Sequence, residues 1–446
     1  MKDLTTGKPI KRILLFAIPL FIGQLFNLFY SLVDTRIVGA TLGDVSLAAV
    51  GATTTLSDML ISLLSGFTNG YAIIVATYFG AKDEKNMKKA IGGTILLGVS
   101  FAAIISMICL VFINPILGFL NISDDIYIQS KAYISIIIAG LLASTLYNVF
   151  AAILRALGDS FTPLIFLIIS TVLNIGLDYA FILYFHMGVG GAALATIIAQ
   201  AISALSCFIY MRKKYPSLVL TKEDFRIPKF LYGKLLSTGT SMGFMSSFVS
   251  LGTLSLQTAI NTFGTNIIVA HTAARKATTV FMLPFGVFGT TLATFCGQNV
   301  GAKKYSRIKE GIRDTILITL AWCCGVILVA YTLSPILIKL ITATTEPEVI
   351  ATATKYLKFD TAFYFVPTLI CLLRNSMQGL GDSKTPVFSS FLELACKIIA
   401  AFMLAPALGY FGIIIAEPIA WVIMVIPLIV NILRNPILKM NENEYA

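Results

Sequence analysis

Leu157-Gly158-Asp159-Ser160-Phe161-Thr162-Pro163 returns as Leu380-Gly381-Asp382-Ser383-Lys384-Thr385-Pro386 about 220 residues further along the chain. The same spacing pairs Phe79-Gly80-Ala81-Lys82 with Val300-Gly301-Ala302-Lys303, and Thr41-Leu42-Gly43 with Thr262-Phe263-Gly264. Several matches in one order at nearly one offset mark an internal duplication rather than recurring turns. Within each copy of the longest element, Gly stops an incoming helix, Asp or Ser caps the next, and Pro sits in its first turn. This chemistry needs no ligand, so Asp159 and Asp382 are read as structural or gating residues.

Both copies are greasy. Of 446 residues, 57% are hydrophobic and 12% charged, with a mean hydropathy of +0.87. Soluble domains carry about 25% charged residues, so this chain belongs in lipid. Apolar runs of about 20 residues recur, each long enough to cross a hydrocarbon core of about 30 Å. Twelve spans are expected, near 13–37, 46–79, 90–113, 127–153, 161–184, 189–211, 233–261, 267–299, 312–333, 350–378, 386–408 and 411–433. The runs are too long, and alternate too little, for barrel strands. The expected fold is an all-α polytopic membrane protein of twelve transmembrane helices, arranged as two six-helix bundles.

Charge sets the orientation. With cytoplasmic N- and C-termini, about 25 of the 33 Lys and Arg fall on the inner side of a cell (inner) membrane. They cluster at Lys2 to Arg12, Lys82 to Lys89, Arg212 to Lys234 and Lys303 to Arg313. The net charge of +11 is thereby explained by topology, and short basic connectors between spans do not suit a nucleic-acid partner. Lys8, Lys11 and Arg12 precede an apolar stretch, but no small-residue cleavage site closes a short h-region. A retained first span, kinked at Pro19, is the reading. The polar stretch around 212–234 divides an N-terminal lobe (1–211) from a C-terminal lobe (235–446). Six spans per lobe start both copies on the same face, so the repeats are parallel.

The intramembrane polar residues carry the function. Gln24, Asn27, Ser31 and Asp34 fall on one stripe of a helix. Ser170, Asn174 and Asp178 do the same in the fifth span, and Thr196, Gln200 and Ser203 in the sixth. A carboxylate turned toward lipid loses water without gaining a partner, so these faces point inward. Two aspartates among amides and hydroxyls could take up a proton or ligate a small hard cation such as Na⁺. The competing reading places Asp34 and Asp178 among headgroups at the helix ends. The second half does not copy this set: Asp34 faces Ser255, Asn174 faces Lys397 and Asp178 faces Ala401. It offers Arg275, Lys276, Glu393, Lys397 and Glu417 instead. Glu393 and Lys397 have the spacing of an intrahelical pair. Arg275 is a partner for Glu417 or for substrate, and His271 is a helix-end residue or a proton carrier; His186 lies in a short exposed connection.

Enzyme chemistry is not expected. No G-x-x-x-x-G-K-[ST] or H-E-x-x-H appears, which leaves an ion gradient as the energy source. The seven cysteines form no C-x-x-C pair and read as small helix-packing residues.

With Leu32-Val33-Asp34-Thr35, Gly80-Ala81-Lys82 and Arg155-Ala156-Leu157-Gly158-Asp159 in this order, the chain resembles the multidrug and toxic compound extrusion (MATE) family over essentially its full length. It is most similar to the DinF-like branch, which implies a first-lobe cation site at Asp34, Asn174, Asp178 and Thr196. The resemblance implies an antiporter exporting small amphipathic, often cationic, compounds in exchange for H⁺ or Na⁺ by rocker-switch motion, without a cofactor and as a monomer. Gln24, Asn27, Ser31, Gln200, Arg275, Lys397 and Glu417 are the substrate-cavity candidates. The seventh span holds Ser255, Gln257 and Asn261 but no carboxylate, unlike the NorM-like branch, so a second-lobe cation site is not expected. A flippase of the wider superfamily, moving lipid-linked saccharides or peptidoglycan precursors, is the alternative that Arg275, Lys276 and Lys397 keep open.

Overall fold

The structure, a computed structural model, describes residues 3–120, 122–342 and 346–440. Every regular element among them is helical. In the first half α1 (Pro9–Leu42), α2 (Asp44–Gly80) and α3 (Glu84–Val111) lead through a short α4 (Ile113–Phe119) to α5 (Asp124–Ala139) and α6 (Leu141–Ala156), then α7 (Phe161–Tyr179) and α8 (Gly188–Lys214). The second half repeats the order: α9 (Lys229–Ile260), α10 (Thr265–Gly301) and α11 (Tyr305–Thr342), the pair α12 (Pro347–Ala362) and α13 (Phe365–Gly379), then α14 (Lys384–Ile399). After the short α15 (Ala405–Leu408) come α16 (Tyr410–Arg434) and a last turn, α17 (Pro436–Lys439).

Nine of the described helices are long and apolar enough to cross a membrane, and two bent pairs bring this to eleven. The expected seventh span is α9, a 32-residue helix whose many Ser, Thr and Gly residues dilute its hydropathy. The expected fourth and tenth spans are not straight: α5 meets α6 at 42° and α12 meets α13 at 54°. The first bend falls at Gly140, where any Cβ would collide with Ile197 of α8. The second precedes Pro367 in the first turn of α13, and proline disfavours helical backbone in the residue before it.

The duplication shows in the backbone as well. Lys82 (φ 56°) and Lys303 (φ 57°) take matching left-handed turns, as do Gly158 (φ 84°) and Gly381 (φ 89°). After each second turn an aspartate caps the next helix. Thr162 N donates to Asp159 Oδ1 at 3.0 Å and Thr385 N to Asp382 Oδ1 at 3.1 Å. The structural reading of these aspartates therefore has its hydrogen bonds.

Two compact units divide the chain, and each borrows a helix end. The first holds Ile18–Gly243; the second holds Leu4–Ala17 and the chain from Phe244 on. In the first unit the start of α9 packs on α2 through Gly66 and Gly70 on one side and Gly239 and Gly243 on the other. A Cβ on Gly70 would lie 2.5 Å from Thr238 O, and one on Gly243 2.5 Å from the Phe67 ring. Small residues four apart let two backbones approach this closely in a membrane. In the second unit the N-terminal segment is tied to α10 and α11. Leu4 N donates to Gln298 Oε1 (3.0 Å), Lys304 Nζ to Thr5 O (2.8 Å), and the Arg307 guanidinium to Leu4 O (3.2 Å) and Gly7 O (2.6 Å). Ile13, Phe16 and Ala17 are buried just beyond it. Pro19 follows within a continuous α1, next to the point where the helix changes unit.

Candidate functional site

In the first unit the polar stripes of α1, α7 and α8 meet. Asp178 (0% exposed) and Asn174 (2%) are buried one turn apart on α7. Asp34 of α1 is half-buried, and its carboxyl group lies near enough to that of Asp178 to share a proton with it. The Oδ1 atom of each has no other hydrogen-bond partner. With its amide in the orientation that satisfies both ends, Asn174 donates to Asp178 Oδ2 at 3.0 Å and accepts from Thr196 N at 3.1 Å. Thr196 Oγ1 lies 3.1 Å from the Tyr30 hydroxyl. Directly after Asp178 the helix widens into a π turn, Ala180–Tyr184, and π turns inside α-helices recur at functional sites. Two carboxylates this close repel unless a proton or a cation lies between them. The arrangement can therefore bind a small positive ion and release it.

Asp34, Asn174, Asp178 and Thr196 are thus brought together. Gln24, Asn27 and Ser31 lie exposed along α1, and Gln200 is half-buried on α8. Ser203 is instead buried in packing, its hydroxyl donating to Phe166 O at 3.2 Å.

The second unit holds a buried ionic chain. Arg275 Nη1 is 2.8 Å from Glu417 Oε2, and Lys397 Nζ is 3.5 Å from Glu417 Oε1 and 2.9 Å from Glu393 Oε1. Arg374 Nη2 closes the chain 3.2 Å from Glu393 Oε2. Glu417 Oε2 also accepts from the Tyr356 hydroxyl at 3.3 Å. The expected Glu393–Lys397 pair is formed, and Arg275 does partner Glu417. His271 Nδ1 lies 3.2 Å from the Tyr410 hydroxyl, while His186 is exposed in its connection. The described cysteines are all free.

Some participants escaped the sequence reading. Tyr30 sits four residues before Asp34, so the helical stripe that found this aspartate extends to the tyrosine, whereas Tyr356 and the fully buried Asp360, also four apart, were both missed. Arg374 was missed as well, although it is the one cation within α13 and such a residue needs a buried partner in a membrane.

A family model described as MatE matches residues 19–180 and, again in the same direction, 242–403. The chain belongs to the MatE family. The double match agrees with the duplication read from the sequence, in which Asn174 faces Lys397. Curated relatives in the family include the probable multidrug resistance protein YpnP of Bacillus subtilis (strain 168), 26% identical over 363 residues, 81% of this chain and 80% of that one. The probable multidrug resistance protein YoeA of the same strain is 26% identical over 419 residues, 92% and 90% of the two chains. A crystal structure of MATE in the bent conformation matches with a TM-score of 0.91 at 22% identity, covering 98% of each chain. The family and its fold make this chain a multi-pass membrane transporter of two repeated bundles.

Proposed function

We propose that this MatE-family transporter is a secondary active antiporter that exports small amphipathic organic compounds in exchange for H⁺ or Na⁺. The observation that carries the proposal is the closeness of the Asp34 and Asp178 carboxyl groups inside the first unit, where Asp178 is fully buried and bonded to Asn174. Asn174 and Thr196 hold the pair in place, and no buried cation is bonded to it among the described residues. A coupling ion neutralises the pair on one side of the membrane; its release on the other restores a negative charge that attracts a cationic substrate. The relatives named as probable multidrug resistance proteins support export of varied compounds. Lobes at 1–211 and 235–446, rocking about the 212–234 linker, would alternate access in a monomer of the inner membrane with cytoplasmic termini.

The flippase alternative calls for several free cations. Of the three cations that keep it open, Lys397 is 3% exposed and bonded to both Glu393 and Glu417, and Arg275 is bonded to Glu417. Export is the better reading.

The test is ethidium efflux in everted vesicles under separate H⁺ and Na⁺ gradients. Wild type should respond to one gradient, and Asp34→Asn and Asp178→Asn should each abolish that response with folded protein retained. Unchanged efflux in both variants would sink the proposed coupling site.

A further inference from the structure

The second unit holds a small, partly open cavity of about 30 Å³ whose wall carries Thr253, Gln257, Arg275, Tyr356, Ile413 and Glu417. A space of this size takes a polar head group or a few waters rather than a whole organic molecule. Its charge is the informative part. Glu417 is engaged on both oxygens, by Arg275 and Tyr356 at Oε2 and by Lys397 at Oε1. Glu393 is engaged by Lys397 and Arg374. Three cations therefore share two carboxylates along the bonded chain, and neither oxygen of the nearby Asp360 accepts a hydrogen bond from any of them.

The three cations differ in how open they are. Arg374 and Lys397 have side chains 7% and 3% exposed, whereas that of Arg275 is 32% exposed and lines the cavity. Only its Nη1 is bonded to a carboxylate, which leaves donors of the guanidinium fork for a ligand. Arg275 lies ten residues into α10, about 15 Å from the helix start, near the middle of a core about 30 Å thick. In such surroundings a partly open guanidinium strongly favours a planar anion.

The register of the repeat sharpens the contrast. Asn174 of the first unit corresponds to Lys397 of the second. One fold position thus carries a carboxylate pair in one bundle and a cationic wall in the other.

We infer that the second-unit cavity is a subsite for the acidic group, a carboxylate or a phosphate, of an amphipathic substrate. The inference rests on the transporter reading above and adds to its cationic substrates amphipathic compounds that bear such a group. Gln257 adds hydrogen-bonding capacity beside Arg275, and Ile413 faces the apolar body.

Binding to purified protein, with no gradient, separates this subsite from the transport reading. The probes are 1-naphthaleneacetate and its uncharged isostere 1-naphthaleneacetamide, measured by equilibrium dialysis against wild type, Arg275→Gln, Glu417→Gln and the charge-free double variant. Arg275→Gln should weaken the carboxylate by about tenfold or more and the amide by less than about twofold. Glu417→Gln should strengthen the carboxylate, because it frees the guanidinium. If Arg275→Gln does not fold, the double variant, which leaves neither charge without its partner, must show the same loss for the carboxylate alone. Equal changes for both probes, or no change for either, would overturn the proposal. Competition by short-chain phosphatidylglycerol assigns the anion to a lipid headgroup, and its absence to a soluble amphipath; either result upholds the anion subsite.

Discussion

Glu393 shows what a single residue holds in place. It accepts from Lys397 and Arg374 while its own side chain is 5% exposed. Glu393→Ala would leave two cations buried with too little opposing charge, an expected loss of about 3–5 kcal/mol, read as a fall in melting temperature in detergent. Only half of this arrangement was legible: the four-residue spacing to Lys397 announces itself, whereas Arg374 arrives from another helix. A milder case lies outside the membrane. Asp83 caps α3, where the backbone N–H of Asn86 donates to its Oδ1 at 3.0 Å and holds the carboxyl below the ordinary range. A lowered folded value means that the contribution is present above the unfolded value of about 3.9 and is lost as pH falls through the folded one. Asp83→Ala should therefore cost about 1 kcal/mol at neutral pH and much less near about pH 3, in paired thermal melts.

At the scale of elements, two contacts explain why α1 and α9 each serve two units. The glycine seam between α2 and α9 tolerates no side chain at Gly70, so Gly70→Val should cost about 1–3 kcal/mol or block folding. Gly51→Ala on the same α2 meets nothing within 4 Å and should be neutral or stabilising, which makes it the matched control in the same melting assay. The N-terminal segment depends on Arg307, which binds the carbonyls of Leu4 and Gly7. Arg307→Ala should speed proteolysis before α1 while leaving cleavage in the 212–234 linker unchanged. Element identity and order were legible because the apolar runs are long and the capping residues repeat. The bends were not. Gly140 looks like any helical glycine until Ile197, from a distant part of the sequence, is seen to press on it. The change of unit within α1 and α9 was hidden too, because hydropathy is continuous through both helices.

For the whole molecule, duplication supplied two bundles of one design, and divergence gave their interiors different charges. The first repeat kept Asp34, Asn174 and Asp178 on stripes that helical spacing reveals. In the second, the corresponding places carry side chains whose partners come from several helices: Arg275 and Glu417 are 142 residues apart in sequence. Sequence could name these residues but could not pair them all. The central claim is that the Asp34–Asp178 pair exchanges a small cation against an organic one. The most direct measurement is the affinity of purified protein for ethidium across pH, with and without Na⁺. In wild type the affinity should fall by about tenfold as protons or Na⁺ occupy the pair, a coupling of ordinary size. In the Asp34→Asn/Asp178→Asn double variant it should be weak and flat. A double variant that binds ethidium with the wild-type dependence on pH and Na⁺ would contradict the account.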